Sequence, residues 1–356
     1  MSSRAQVLIC TVGTSLITSL RAKGQDVRNP IAVAKELKKL PPSDKALGAE
    51  INSNHSIVQK GYLDPRKLYL CVSDTPEGEA TGSILQHYYR DLFLAVEVVK
   101  IVGLQAEDPK RFRNHGLRSL VRAISDIVKG ARHHGQSVII NATGGFKAQI
   151  SFAGLIGQVL EIPVFYMFET FAEVIELPPL PVSFNFDFWL RHFATLEQLS
   201  RDFLPDHDVP SDIHEVLLLR EEGLCCLSSL GELFHQGYKE RFHQQRMQLI
   251  PPDCTLRPDQ KNVTFEDKNP HRHPGLSEYL QKLLQRGYIT GARTYYFNPD
   301  LPERLRFFVS SRCQPHEIEG WYSDGKRTTK FILATTARTE LERHAAVVDL
   351  TEEMLG

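Results

Sequence analysis

Three short segments hold the residue types that could contact a charged small molecule. They are Gly13-Thr14-Ser15, Ser73-Asp74-Thr75 and Asn141-Ala142-Thr143-Gly144-Gly145-Phe146-Lys147. In the third, two glycines let backbone approach a ligand closely, and Asn141 and Thr143 add short hydrogen-bonding side chains. Lys147 follows at the expected start of a helix, where free amides and the helix dipole favour an anion. The segment is not a phosphate-binding P-loop, because the Gly-x4-Gly-Lys-Ser/Thr spacing is absent. Nor does Gly-x-Gly-x-x-Gly follow the first strand. A tight strand-to-helix turn with a solvated Lys147 fits the same residues. Local chemistry leaves both readings open.

The second candidate set lies near the C-terminus. Arg293, Tyr295 and Tyr296 fall on one strand-like run, and Arg304, Arg306 and Arg312 on or near the next. Lys326, Arg327 and Lys330 follow at a third, then Arg338 and His344. Alternation of side chains along a strand is expected to put Arg304 and Arg306 on one face. Cations with tyrosines and a histidine, without a metal-ligand set, suit metal-independent RNA cleavage. There the 2′-hydroxyl attacks the adjacent phosphate, cations stabilise the developing charge, and His or Tyr moves protons. A solvated sheet face fits too, since residues 251–356 hold 15 basic and 15 acidic residues.

These segments need elements to hold them. Val7 to Val12, Lys67 to Val72 and Ser137 to Ile140 read as buried strands, each ending at one of the three polar loops. Leu117 to Arg132 carries helical spacing. Ile162 to Phe168 and Glu173 to Leu177 read as further strands. Strands alternating with helices predict an α/β fold, a Rossmann-like doubly wound sheet over residues 1–181. Ligands then bind outside the C-terminal strand ends, so all three loops should face one crevice. Pro178-Pro179-Leu180-Pro181 closes this domain. Residues 182–250 read as a helical connector, whose aromatic run (Phe184, Phe186, Phe188, Trp189, Phe193) is expected to be core. Residues 251–356 read as a small α+β domain with an antiparallel sheet. It comprises a helix over His273 to Arg286, strands Ala292 to Asn298, Arg304 to Ser311 and Thr328 to Thr335, and a helix from Arg338 to Val347.

Composition narrows the setting. A formal net charge of −1 over 356 residues means that any nucleic-acid contact must come from a local patch. No apolar run reaches the roughly 18 residues of a membrane span. Six cysteines, scattered and partly in apolar segments, predict a reduced, cytoplasmic protein without a signal peptide.

The pairing of Thr11-Val12-Gly13-Thr14-Ser15 with Asn141 to Lys147 resembles the CARF domain, the CRISPR-associated Rossmann fold, over roughly residues 4–180. The resemblance implies a homodimer that binds cyclic oligoadenylate, with cyclic tetra-adenylate the expected activator and no other cofactor. It makes Thr14, Ser15, Asn141, Thr143, Gly144, Gly145 and Lys147 ligand contacts, with Ser73 and Asp74 weaker candidates. Some such domains also cleave their ligand slowly. The run Phe331 to Arg338, with His344 six residues later, resembles the last strand and tail of RelE-type ribonucleases. That resemblance makes Arg338 and His344 catalytic, with Arg306 on the preceding strand and Arg293 on an earlier one. Tyr295, Lys326, Arg327 and Lys330 are then substrate contacts. Together the two imply a cyclic-oligoadenylate-activated, ribosome-dependent messenger RNA endoribonuclease of type III CRISPR defence. Three rivals remain. One is an all-helical HEPN nuclease, whose Arg-x4–6-His spacing fits Arg338 and His344 or Arg201 and His207. Another is a PD-(D/E)xK nuclease using Asp253, Glu266 and Lys268 with a divalent metal. The third is a sensor without enzymatic activity.

Overall fold

The computed structural model describes residues 4–168, 170–178, 185–266 and 273–355. The chain forms two compact units, Met1–Phe184 with Pro205–Glu240, and Asn185–Leu204 with Arg241–Gly356.

In the first unit, β1 (Ala5–Thr11) leads into α1 (Ser15–Ala22), α2 (Pro30–Leu37) and α3 (Ala49–Gln59). Then come β2 (Leu63–Ser73), α4 (Pro76–Tyr89), β3 (Ala95–Ile101), the single turn α5 (Pro109–Arg111) and α6 (Leu117–His133). β4 (Val138–Asn141), α7 (Lys147–Leu160), β5 (Val164–Tyr166) and β6 (Ile175–Glu176) complete a six-stranded sheet. Its order is β3-β2-β1-β4-β5-β6, parallel except for β6. Alternation along β1 builds both cores. Leu8 and Cys10 pack with α1 to α4, while Val7 and Ile9 pack with α6 and α7. This is the Rossmann-like doubly wound arrangement expected, and the strand order reverses between β1 and β4. β3 has no counterpart in the sequence reading. It is a half-exposed edge strand, so it lacks the buried apolar run that marks β1 and β2.

The stretch expected to be a helical connector is corrected. It holds α8 (Phe186–Arg201), β7 (Leu204–Pro205), a hairpin of β8 (Leu218–Glu221) and β9 (Leu224–Leu227), and α9 (Ser229–Leu249). Arg220-Glu221-Glu222-Gly223 is the end of that hairpin, not an interruption of a helix. Glu222 and Gly223 both adopt positive φ, 52° and 79°, the backbone of a tight primed turn. Of the aromatic run, Trp189 and Phe193 are fully buried at helical spacing, while Phe186 and Phe188 are half-buried. Phe184 lies outside the described residues.

The second unit carries β10 (Asn262–Phe265), α10 (Leu276–Leu283), β11 (Ile289–Asn298), β12 (Arg306–Phe308), β13 (Glu317–Ser323), β14 (Thr328–Thr335) and α11 (Glu340–Leu355). The sheet order is β10-β11-β14-β13-β12, with β10 parallel to β11 and the other pairs antiparallel. Leu276, Leu280 and Leu283 of α10, with Ala346, Val347 and Leu350 of α11, pack with Phe307, Ile318, Phe331 and Leu333. Two expectations change. β13 was not foreseen: it carries two carboxylates, Glu317 and Glu319, which obscure its strand character although both are buried. It separates β12 from β14 in the chain, so Arg306 is not on the strand that precedes β14. β12 begins at Arg306, so Arg304 lies before the strand and its shared face is not formed.

Candidate functional site

Both candidate sets become places in the fold. In the first unit a cavity of about 1230 Å³ opens at the C-terminal ends of the parallel strands. Its wall includes Thr14, Ser15, Ser73, Thr143, Gly144, Gly145 and Lys147. The two glycine loops meet backbone to backbone. A Cβ on Gly13 would come within 2.9 Å of the Gly145 nitrogen, and one on Gly144 within 2.1 Å of Glu50 Oε1. Thr11 Oγ1 donates to the Gly144 carbonyl at 2.6 Å and ties the loops together. Gly145 adopts φ +105°, which L side chains rarely take. Glycine is therefore required here twice over, by close packing of distant chain segments and by dihedral.

Two helices begin at this wall, α1 at Ser15 and α7 at Lys147. Their unpaired amides and dipoles favour an anion. Lys147 is exposed, and its ammonium has no hydrogen bond or ion pair among the described residues. Ser73 reaches the wall but is 2% exposed, with its hydroxyl shared with Thr75 at 2.9 Å. Asp74 accepts from the Gly103 amide and faces Lys100 at 3.6 Å. It is not part of the wall.

Asn141 stands behind the wall. It is fully buried, and its amide donates to Ser53 Oγ at 2.7 Å and Asn54 Oδ1 at 2.6 Å. Its carbonyl oxygen accepts from Thr143 Oγ1 at 2.6 Å, and that hydroxyl in turn accepts from the Met167 amide. Asn141 thus positions Thr143, which lines the cavity.

Sequence reasoning missed α3. Asn52 and His55 line the cavity at i, i+3 spacing, and Gln59 continues the face at i+7. That polar stripe was the available signal. Also missed was Glu50, 1% exposed, whose Oε1 accepts the Gly13 amide at 2.7 Å. Its Oε2 has no hydrogen-bond partner, and burial pushes the carboxyl above its ordinary range.

In the second unit the sheet face opposite α10 and α11 carries the polar residues. Cross-strand register aligns Tyr296 with Lys330, Lys330 with Trp321, and Trp321 with Arg306. An irregularity between Thr294 and Tyr296 turns both Tyr295 and Tyr296 toward this face. Glu319, 3% exposed, accepts from Tyr295 Oη at 2.5 Å, Trp321 Nε1 at 2.7 Å and Ser310 Oγ. Burial alone would raise the Glu319 carboxyl, but these three donors, with the nearby charge of Lys330, outweigh it and hold the group below its ordinary range. Burial and that carboxylate push the Tyr295 phenol well up, so it orients and donates rather than accepting a proton.

The other candidates lie apart from this row. Arg293 pairs with Glu317 at 3.3 Å. Lys326 and Arg327 sit at the β13–β14 turn, where Arg327 pairs with Asp324 at 2.8 Å. Arg338 is exposed just past β14, and its guanidinium has no partner among the described residues. The row of Lys330 lies five residues before Thr335, roughly 16 Å along the strand. His344 sits 3.8 Å from Glu340. Burial holds its imidazole below the ordinary value, with Arg343, Arg191 and His192 adding to the effect. No hydrogen bond or ion pair joins Arg306 to His344 among the described residues.

For the rival readings, Arg338 and His344 stand in a unit built on a five-stranded sheet, not an all-helical one. Asp253 lies in irregular chain, and Lys268 lies outside the described residues. No group of three or more His, Cys, Asp or Glu placed to hold a metal occurs among the described residues. No helix among them is long and apolar enough to cross a membrane.

Comparison with known proteins adds one positive finding. No curated protein matches the sequence. Among solved structures, the chain is similar to protein VC1899 from Vibrio cholerae, at 9% identity and TM-score 0.29, covering 93% of this chain and 77% of that one. It is also similar to Can2 from Sulfobacillus thermosulfidooxidans, solved in complex with cyclic tetra-adenylate, at 11% identity and TM-score 0.26. That alignment covers 55% of this chain and half of Can2. Likenesses this distant carry no argument about the site. Residues 45–180, which supply α3, β4 and the Gly144-Gly145 loop, match the family described as CRISPR-associated protein (Cas_APE2256).

Proposed function

We propose that this protein is a CRISPR-associated sensor and effector, in which a cyclic oligoadenylate bound by the first unit switches on RNA cutting by the second. One observation carries the sensor reading. A large cavity sits at the switch point of a doubly wound sheet, walled by two glycine loops, two helix starts and an unpaired lysine. It falls largely in the segment that matches a CRISPR-associated family. The cavity exceeds the usual small-molecule range, which suits a multi-phosphate ring such as cyclic tetra-adenylate. In this reading Thr14, Ser15, Thr143, Gly144, Gly145 and Lys147 contact the ring, and two copies of the chain share it.

For the effector, the polar sheet face and the exposed Arg338 support a RelE-type ribonuclease that acts on messenger RNA in the ribosome. The 2′-oxygen attacks the adjacent phosphorus and the bond to the 5′-oxygen breaks. The departing 5′-oxygen takes up a proton from water, so a 2′,3′-cyclic phosphate and a 5′-hydroxyl result. Cations stabilise the charge that develops on phosphate. His344, held neutral by burial, is suited to accept the 2′-proton once the ribosome completes the site. The protein acts in the cytoplasm.

The test is cleavage of messenger RNA in EDTA, free or on programmed ribosomes, with and without cyclic tetra-adenylate. Activator-dependent cutting on ribosomes alone is the expected result. Cutting of free RNA in EDTA would replace the ribosome-dependent reading with HEPN-like chemistry. Cutting only with added Mg²⁺ would move Asp253 and Glu266 to the front.

A further inference from the structure

We propose that the row Tyr296–Lys330–Trp321–Arg306 is a track for single-stranded RNA, in which Lys330 and Arg306 hold neighbouring phosphates and Trp321 spaces them. The proposal rests on the ribonuclease reading of the second unit and adds where the substrate strand lies, off the ribosome as well as on it.

The row is one continuous cross-strand register over β11, β14, β13 and β12. Four strands at the usual spacing make it about 14 Å long. Aromatic rings and cations alternate along it. Arg306 Cζ lies 3.7 Å from the Trp321 ring centroid and Lys330 Nζ 3.8 Å from the same centroid. Lys330 also lies 5.2 Å from the Tyr296 ring. Each distance is within cation–π range, so the rings hold both cations without neutralising them.

Charge pairing sets this row apart from two neighbouring candidate cations. Arg293 is paired with Glu317 and Arg327 with Asp324. No carboxylate among the described residues lies within ion-pairing distance of Arg306 or Lys330. A phosphate can therefore take either without breaking an existing pair. The nearest acid on the face, Glu319, has its oxygens occupied by Tyr295, Ser310 and Trp321. Its bond to the indole Nε1 fixes the ring, and through the ring the two cations. Trp321 is thus a positioning residue. Tyr296, 40% exposed at the end of the row, leaves a ring surface for one unpaired base. Backbone-tracking cations beside an exposed aromatic are how single strands are held without sequence preference.

The experiment uses the full-length protein and a labelled 2′-O-methyl oligouridylate, which its own 2′-oxygen cannot cut. Anisotropy is read over a range of salt, alongside the same strand annealed to its complement. Arg306→Gln and Lys330→Gln are each expected to weaken binding about tenfold. Each should also lower the steepness of log K against log salt by about one. Trp321→Leu should weaken binding similarly in the native protein and add nothing in the Arg306→Gln/Lys330→Gln background. Trp321→Phe should recover most of the loss. A packing defect alone would leave the salt slope unchanged. Failure of the native protein to bind the single strand overturns the track, as does duplex binding of equal strength. Should Trp321→Leu fold poorly by circular dichroism, the variants at exposed Arg306 and half-buried Lys330, Arg306→Gln and Lys330→Gln, still decide. Binding that depends on the row in a protein that cuts no RNA sinks the ribonuclease reading and keeps the track. Cutting together with binding that ignores both variants does the reverse.

Discussion

Lys147 and Glu50 show what single residues decide at the cavity. Lys147 is an unpaired cation at a helix start, so removing it should cost ligand affinity and little stability. Lys147→Ala is expected to weaken cyclic tetra-adenylate binding about tenfold by calorimetry, with an unchanged melting temperature. Glu50 is the opposite case, a buried carboxyl whose folded-state pKa is raised above the ordinary 4.5 by burial. The folded state therefore binds more protons, and stability from this group is lost as pH rises through that window. Glu50→Gln keeps an acceptor for the Gly13 amide and removes the buried charge. It should raise thermal stability at pH 7, whereas Glu50→Ala should lower it by about 1–3 kcal/mol, because Gly13 is then left unsatisfied. Equal melting temperatures for both variants would show that Glu50 does not hold the loops.

Buried His273 and half-buried His344 of the second unit carry the other sign. Burial lowers His273 and His344 below the ordinary 6.5. The unfolded chain then binds more protons, and the stability they contribute is present above about pH 6.5 and falls as pH drops below it. The double variant His273→Gln/His344→Gln should flatten the decline in chemical-denaturation midpoint between pH 6.5 and the acid side. A slope identical to the native one would assign the decline to other groups.

At the scale of elements, Asp349 anchors the middle of α11. This carboxylate is 5% exposed, accepts from Tyr288 Oη at 2.7 Å, and pairs with Arg246 and with Arg286 at 3.8 Å. Asp349→Ala leaves buried donors unpaired and should destabilise the unit by about 3–5 kcal/mol, with Asp349→Asn costing less. A loss below 1 kcal/mol in urea denaturation would mean that apolar packing alone seats the helix. None of these partners could be read from the chain, since Tyr288 and Asp349 are 61 residues apart. The glycine loops could be read, because tight approach and positive φ leave their mark in residue type at the position itself.

On the scale of the whole molecule, α9 contributes residues to both units. Its first residue, Ser229, donates to the Arg113 carbonyl at 2.8 Å. One residue before Arg113, the Phe112 ring stands 5.2 Å from that of Phe146 in the ligand loop. Arg118 and Arg122 of α6 reach Glu232 of α9 at 3.2 Å and 2.9 Å. A chain of packed groups therefore joins the cavity to the start of α9. Saturation with cyclic tetra-adenylate is expected to change hydrogen exchange across residues 229–249. Unchanged exchange there would remove α9 from any proposed route between ligand binding and the second unit.

Sequence by itself determined the doubly wound sheet, its three loops at the strand ends and the core role of Trp189 and Phe193. Apolar runs, helical spacing and glycine requirements are local properties, written in consecutive residues. Tertiary structure alone decided which residues share a surface. It set Asn141 behind the wall and brought α3 to the cavity. It also turned the acidic run Glu317 to Glu319 into a buried strand and aligned Arg306, Trp321 and Lys330 in one row. Those outcomes depend on register between strands and on packing between distant helices. A one-residue shift in register would move every such side chain to the opposite face, and the chain records no such register residue by residue.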